Sequence, residues 1–364
     1  MRRRLAFGLV AATSVVLACQ LLAGIDDRTL GDGGQGDSGV DPCTTDPNIP
    51  PSAGDTQGAS NVDDVVAVLH TLNLGLDTDA GLLGFNLDSQ CTCPGPGSCS
   101  TKDGGKWCDG EGGVDNSGRD IFSTFSGFIT QDMMNQSIAQ GVFGAFIRIA
   151  DFNGGPNDSQ VKVAVYSSLG FDGPGQPKFD GTDYWSVDNG SLTGAGDAGD
   201  INLAANTATV AYVANDTLVA YVKIPIVIGS TQYPVTVNLD SGLIVAKLTM
   251  SADRQSLVSM TGTLAGRWDT TKLLTSLQSL PDPLGDGGSH VCNNNGSAIY
   301  SAAQTTICND VDIVADKSAD NQGVPCNAVS MALGFTATPA HFGSQKNAPA
   351  AGTPCGASYT ASCP

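Results

Sequence analysis

The placement of the cysteines constrains this chain more than any other feature. Eleven occur in 364 residues. After Cys19 come Cys43, Cys91, Cys93, Cys99 and Cys108, then none from 109 to 291, then Cys292, Cys308, Cys326, Cys355 and Cys363. In an exported chain an even set of cysteines reads as disulfides, because the compartment is oxidising. The two later groups hold five each, and five is odd. If all ten are oxidised within one chain, an odd number of bridges, at least one, joins the groups. The ends of the folded region are then pinned together around a long cysteine-free body. Closing so large a loop stabilises by several kcal/mol in the chain-entropy account. Cys91 and Cys93 are too close to bridge each other comfortably, and the connectivity stays open. Zinc is a poor alternative: Cys91-x-Cys93-x5-Cys99-x8-Cys108 lacks paired C-x2-C spacing, and His290 sits two residues before Cys292.

The N-terminus supplies the case for export. Arg2, Arg3 and Arg4 precede an apolar run from Leu5 to Ala18 that has the length of a signal-peptide core and is too short for a comfortable span. It ends in Val16-Leu17-Ala18-Cys19, which resembles the lipobox of bacterial lipoproteins. Leu17 departs from the small residue usual at its position, and the resemblance covers residues 1–20 only. It implies cleavage before Cys19, lipid on the Cys19 thiol and amine, and, with Gln20 following, delivery to the outer membrane. Several acyl chains, at roughly 0.8 kcal/mol per buried CH2, make such an anchor nearly irreversible. Residues 1–18 carry three arginines and no acid, so their removal takes the net charge from -19 to -22. A particle so acidic repels an anionic membrane surface, and it excludes nucleic acid as a partner, since phosphates require Lys and Arg.

Residues 19–61 read as a tether. From 26 to 61 the chain is mostly Gly, Asp, Ser, Pro and Thr, as in Gly31-Asp32-Gly33-Gly34-Gln35-Gly36-Asp37, and it lacks the apolar surface a fold needs. Such a chain reaches about 30–35 Å by the square-root law for Gly-rich linkers. A single domain is expected over 62–345, with a Cys-containing tail at 346–364.

The body predicts β structure. Of 36 acidic residues only Glu111 is a glutamate, and aspartate favours turns over helix interiors. From 218 to 228 every even position is apolar, the period of a half-buried strand. Gly229-Ser230 follows as a hairpin turn, the alternation resumes over 233–239, and Asp240-Ser241-Gly242 turns into further strands over 243–250 and 257–268. Pro225 and Pro234 face each other in that register, which places the hairpin near a sheet edge. Further strands are expected over 141–150, 161–167, 207–213 and 328–338, and short helices over 62–72, 131–139, 270–280 and 297–307. The whole predicts an all-β domain, an antiparallel β-sandwich of jelly-roll or lectin-like type, with few helices and disulfide-stapled ends.

Candidate chemistry lies in the turns. Asp151, Asn153, Asn157 and Asp158 place four side-chain oxygens within eight residues, and hard oxygens suit calcium, the one candidate cofactor. The same residues are also what any tight β-turn uses. Asp180, Asp183, Tyr184 and Trp185 combine acids with aromatic rings, the pattern of a sugar-binding loop; alternatively, the two aromatics start a strand as core. Asp115-Asn116-Ser117 reads as one more Asx-rich turn. No catalytic constellation stands out: no G-x-S-x-G follows a strand, and His70, His290 and His341 lack recognisable partners. The expected function is a lipid-anchored, non-catalytic envelope protein binding a glycan or protein. The alternatives are an aspartate-dependent hydrolase such as a glycosidase, or a purely structural envelope lipoprotein.

Overall fold

Apolar residues build the strands of this chain, and the central ones, Gly144–Ala150 and Ala328–Pro339 among them, are buried on both faces. The structure is a computed structural model and describes residues 50–54, 62, 64–76, 82–92, 97–101, 108–124, 130–194, 196–229, 234–278, 280, 290–292, 298–348, 355 and 361–363. The chain divides into two units, Met1–Val40 and Asp41–Pro364, and the described residues belong to the second. Residues 1–20, expected to hold a signal peptide and the lipidated Cys19, together with Cys43, Cys93 and most of the expected tether over 19–61, lie outside the described residues. No helix among the described residues is long and apolar enough to cross a membrane.

The strands are β1 Val65–Asn73, β2 Gly144–Ala150, β3 Lys162–Phe171, β4 Tyr184–Asp188, β5 Val210–Ala214, β6 Thr217–Tyr221, β7 Ile224–Gly229, β8 Pro234–Met250, β9 Leu257–Asp269, β10 Ala328–Pro339 and β11 His341–Lys346. The helices are α1 Gly118–Thr124, α2 Gln131–Ala139, α3 Thr270–Leu277 and α4 Ala298–Asn309. Instead of two stacked sheets, the strands form one sheet in the order β11-β4-β3-β2-β1-β10-β9-β8-β6-β5, with β7 paired to β8 off this path. Every pairing is antiparallel except β11 with β4.

The sheet curls until its β5 end meets β3. Asp158 and Val213 exchange both backbone hydrogen bonds, at 2.8 and 2.7 Å, while Ala208 donates to Val163 and Val165 to Asn206, at 2.8 and 3.0 Å. One face of the curl is a single apolar cluster. Val65, Ala67 and Leu69 of β1 meet Ile147 and Ile149 of β2, Val163 and Val165 of β3, Ile244 and Ala246 of β8, and Met331, Leu333 and Phe335 of β10 there. Residues of α2, α3 and α4 join the same cluster. The opposite face carries two smaller clusters: Val68, Phe146, Tyr166 and Trp185 with Leu192 and Ile201, and Phe85, Leu87 and Ile313 with Val219, Ala265 and Ala332.

Several sequence expectations need correction. Residues 62–72 were expected as a helix but hold the central strand β1, between β2 and β10. Both faces of β1 are buried, so its nearly continuous apolar run, rich in Val, mimics helical spacing by coincidence. The expected turn at Asp240-Ser241-Gly242 is a bulge inside the 17-residue strand β8. Ser241 has φ +47°, and a Cβ on Gly242 would lie 2.4 Å from the Val222 carbonyl oxygen. Residues 218–228, expected as one strand, break at the same corner into β6 and β7, where the Val222 N–H donates to Gly242. The β7–β8 arm thus folds away and packs against β2, β3 and α2. Its register pairs Pro225 with Asn238 and Pro234 with Gly229, so the two prolines do not face each other; the loop over 230–233 lies outside the described residues. β11, which no alternation announced, adds a parallel edge strand.

Three cysteine pairs stand at disulfide distance: Cys99–Cys326, Cys292–Cys355 and Cys308–Cys363, with Cα separations of 5.2, 5.4 and 5.5 Å. Cys99–Cys326 joins the two cysteine groups, as the parity of five requires, and the other two pairs lie within the C-terminal group.

Candidate functional site

The four oxygen-bearing residues of the 151–158 loop serve the loop itself. Asp158 is buried, and its carboxylate accepts from the backbone N–H groups of Asn153 at 2.7 Å and Gln160 at 3.0 Å. Asn153 Oδ1 accepts from Gly155 N–H at 2.7 Å, and its amide donates to the Asn157 carbonyl at 3.1 Å. Asn157 Oδ1 accepts from Asn215 N–H at 2.9 Å, and Asp151 pairs on the surface with Lys162 at 3.0 Å. Arg254 clamps the loop from outside, donating to the Gly154 carbonyl and pairing with Asp216. Among the described residues no group of three or more His, Cys, Asp or Glu side chains could hold a metal ion.

The 180–185 quartet is divided between surface and interior. Trp185 is 0% exposed and packs its ring beside Phe171 and Phe179, so it serves the core and is not available to a ligand. Asp183 is buried and accepts from the N–H groups of Lys178 and Phe179, at 2.8 and 2.6 Å. Asp180, exposed, accepts from the Thr182 N–H and hydroxyl, which hold its carboxyl below the usual range. Tyr184 is 53% exposed and stacks on His341 of β11 at 4.9 Å. Of the four, only Asp180 and Tyr184 present side chains to solvent.

A cluster of carboxylates among the described residues lies elsewhere, and it includes Asp115, expected only as part of an Asx-rich turn. Asp88, Asp115 and Asp312 are buried, with Asp109 half-buried beside them. Asp115 accepts from Leu87 N–H at 2.6 Å, and Asp109 accepts from Thr92 N–H at 2.6 Å. Asp312 accepts from Ser330 N–H at 2.8 Å and takes the Ser330 hydroxyl in a short bond. The same hydroxyl oxygen accepts from Ser117 N–H at 2.9 Å. Asn116 bridges the layers, donating to Leu83 O at 2.8 Å and accepting from Ala332 N–H at 3.0 Å. Asp115, Asn116 and Ser117 therefore rivet the 82–92 segment to β10.

Crowding carboxylates away from water favours their neutral form. Burial pushes Asp109 up to about 7, with the charges of Asp88 and Asp312 adding to it against the Thr92 hydrogen bond. Burial, then Asp88, Asp312 and Asp109, holds Asp115 well above the carboxylate range. Asp312 rises to about 6 through burial despite its bonds to Ser330. Asp310 also rises to about 6, through burial and the charges of Asp120 and Asp312. Near neutral pH this cluster holds protons that isolated aspartates would have lost. No sequence signal short of long-range pairing could have found it, because its members come from positions 88 to 330.

No protein-family model, curated protein or solved structure matches this chain.

Proposed function

We propose that this chain is an exported, lipid-anchored envelope protein whose curled-sheet domain is a non-catalytic module binding a glycan or protein ligand. The observation that carries this reading is the set of cysteine pairs at bonding distance, above all Cys99–Cys326 across 227 residues. Structural disulfides of this kind belong to oxidising compartments, in keeping with the lipobox-like run ending at Cys19. The loop carboxylates support a binding scaffold over an active site, since Asp158, Asp180 and Asp183 close their own turns. The test is a glycan and envelope-protein array probed with the soluble chain from residue 20 onward. Saturable binding without turnover is expected, and mass spectrometry of the membrane fraction should find lipid on Cys19. An unprocessed N-terminus or reduced cysteines would overturn the reading.

One observation favours a second reading, an aspartate-dependent hydrolase. Asp109, half-buried, is pushed to about 7 by burial and by the charges of Asp88 and Asp312, as acid–base groups often are. Hydrolysis of a glycoside panel that disappears in Asp109→Asn would establish it.

A further inference from the structure

Two short segments, 82–92 and 108–117, cover the sheet face that carries Val219, Leu243, Ala265 and Ala332, and bury Phe85 and Leu87 against it. The segments are tied to each other: Asp115 N–H donates to the Phe85 carbonyl at 3.0 Å, and the Asp115 carboxylate accepts from Leu87 N–H at 2.6 Å. Few bonds tie them to the sheet. Asn116 accepts from Ala332 N–H, Ser117 N–H donates to the Ser330 hydroxyl, and Arg267 donates to the Leu87 carbonyl. Between the segments in sequence, 97–101 is stapled by Cys99–Cys326 and by the Ser100 N–H bond to the Val324 carbonyl.

Carboxylates stand on both sides of this contact. Asp88, Asp109 and Asp115 belong to the cover, while Asp312 is fixed to β10 through Ser330, with Asp310 two residues before it. The charges that act on Asp109 and Asp115 are those of other carboxylates, and Asp120 of α1 adds its own to Asp310. Among the described residues no ion pair reaches the five, and Glu111 on the cover and Arg119 at the start of α1 form none. Arg267 closes on Asp320 and otherwise meets only the Leu87 and Val314 carbonyls. Lys102, Asp103 and Lys106 lie outside the described residues. Every member that ionises therefore adds like charge to a place shielded from water. Parting the cover from the 310–312 segment hydrates these charges and separates them. The staple at Cys99 keeps the middle of the chain fastened, so such an opening is short and reversible.

We propose that the cover is a pH-operated clasp, closed while Asp109, Asp115 and Asp312 hold protons and opened when they release them to solvent, which bares Phe85, Leu87 and the apolar sheet face beneath. The clasp goes beyond the binding-module reading and holds whatever ligand that module takes. Burial raises Asp312 to about 6 and, with its acidic neighbours, Asp109 to about 7. The closed form is thus favoured at pH 5 and loses its advantage as pH rises through about 6 to 7. The test is hydrogen–deuterium exchange of the purified native protein at pH 5 and pH 8, corrected for the intrinsic exchange rate. Peptides over 82–92 and 108–117 should lose protection roughly tenfold or more at pH 8, while those of β2 and β10 keep theirs. Asp109→Asn and Asp115→Asn, whose amides cannot ionise, should each shrink the change. Asp172→Asn, remote from the cover, should leave it intact. Should a cluster variant fail to fold, the parent decides: the loss must be confined to the cover, with a midpoint between about pH 6 and 7. Protection that stays constant, that rises with pH or that falls alike in every strand would overturn the clasp, as would a loss that persists undiminished in both cluster variants.

Discussion

Arg267 and Asp320 meet as a bidentate pair, Nη1 to Oδ1 and Nη2 to Oδ2 both at 2.6 Å. The arginine side chain is 1% exposed and the aspartate 11%. Arg267 leaves β9 on its outer face and also donates to the Leu87 and Val314 carbonyls, each at 2.8 Å. One side chain thus fastens two covering segments to the sheet. Removing one partner of a buried pair strands the other charge, at a cost of about 3–5 kcal/mol. Asp320→Ala should lower the urea-unfolding free energy by that order. Asp151→Ala, which breaks the exposed pair with Lys162, should cost less than about 1 kcal/mol. Equal losses would show that burial does not set the worth of these pairs.

The acid cluster makes stability depend on pH in an unusual direction. Asp109, Asp115, Asp310 and Asp312 all have folded pKa values raised above the ordinary 3.8. The folded chain therefore holds protons that the unfolded chain releases, and stability falls where the unfolded state binds fewer. The contribution is fully present below about pH 4 and is lost as pH rises through about 6 to 7. Asp172 works oppositely: Lys346 and Ser344 hold its carboxyl low, so its contribution is lost in strong acid. The melting temperature should therefore be higher at pH 5 than at pH 8. Asp115→Asn, which keeps an oxygen for the Leu87 N–H, should shrink that difference. A melting temperature that climbs steadily from pH 5 to 8 would sink the account.

How much of this was legible in the sequence depends on how local the deciding contact is. The helices α2 and α3 were legible because Thr130 and Asp269 cap them from adjacent positions, accepting from Met133 and Lys272 N–H. Strand periodicity located β3, β9 and β10, where large apolar residues alternate with small or polar ones, while β2, buried on both faces, was found from its short apolar run. β1 was misread because its two apolar faces erase the period of two. The corner shared by β6, β7 and β8 was misread because Asp240-Ser241-Gly242 has turn chemistry in either use, and only the approach of Gly242 to Val222 decides between turn and bulge. Trp185 allowed two readings, ligand platform or strand core, because a sequence shows a ring but not the Phe171 and Phe179 side chains packed beside it. The acid cluster was illegible for the same reason: Asp115 becomes unusual only when Asp88 and Asp312 arrive from far along the chain.

The three cysteine pairs should differ in what they contribute. In the chain-entropy account the stabilisation grows with the loop closed, reaching about 5 kcal/mol for the 227-residue separation of Cys99–Cys326 and about 4 kcal/mol for the 55 of Cys308–Cys363. Cys99–Cys326 also holds the 97–101 segment, where Ser100 and Val324 pair through the backbone at 2.9 Å. The double substitution Cys99→Ala with Cys326→Ala should therefore lower the unfolding free energy more than Cys308→Ala with Cys363→Ala. Non-reducing peptide maps should recover both linkages from the native protein. Maps that pair Cys99 within the N-terminal group would contradict the fold at its base.

Calcium can be tested at Asp158, where structural and metal-binding roles predict opposite responses. Its carboxylate closes the loop through Asn153 and Gln160 N–H, while its backbone bonds Val213 at the seam. Asp158→Ala leaves two donors without their acceptor in a buried place, which costs about 1–3 kcal/mol each. The variant should melt well below the parent, and added calcium should not restore it. The parent itself should melt identically in EDTA and in millimolar calcium, because each of the four side chains an ion would need already holds an N–H or Lys162 partner. A rise in melting temperature with calcium in the parent, absent in Asp158→Ala, would instead make this loop a metal site.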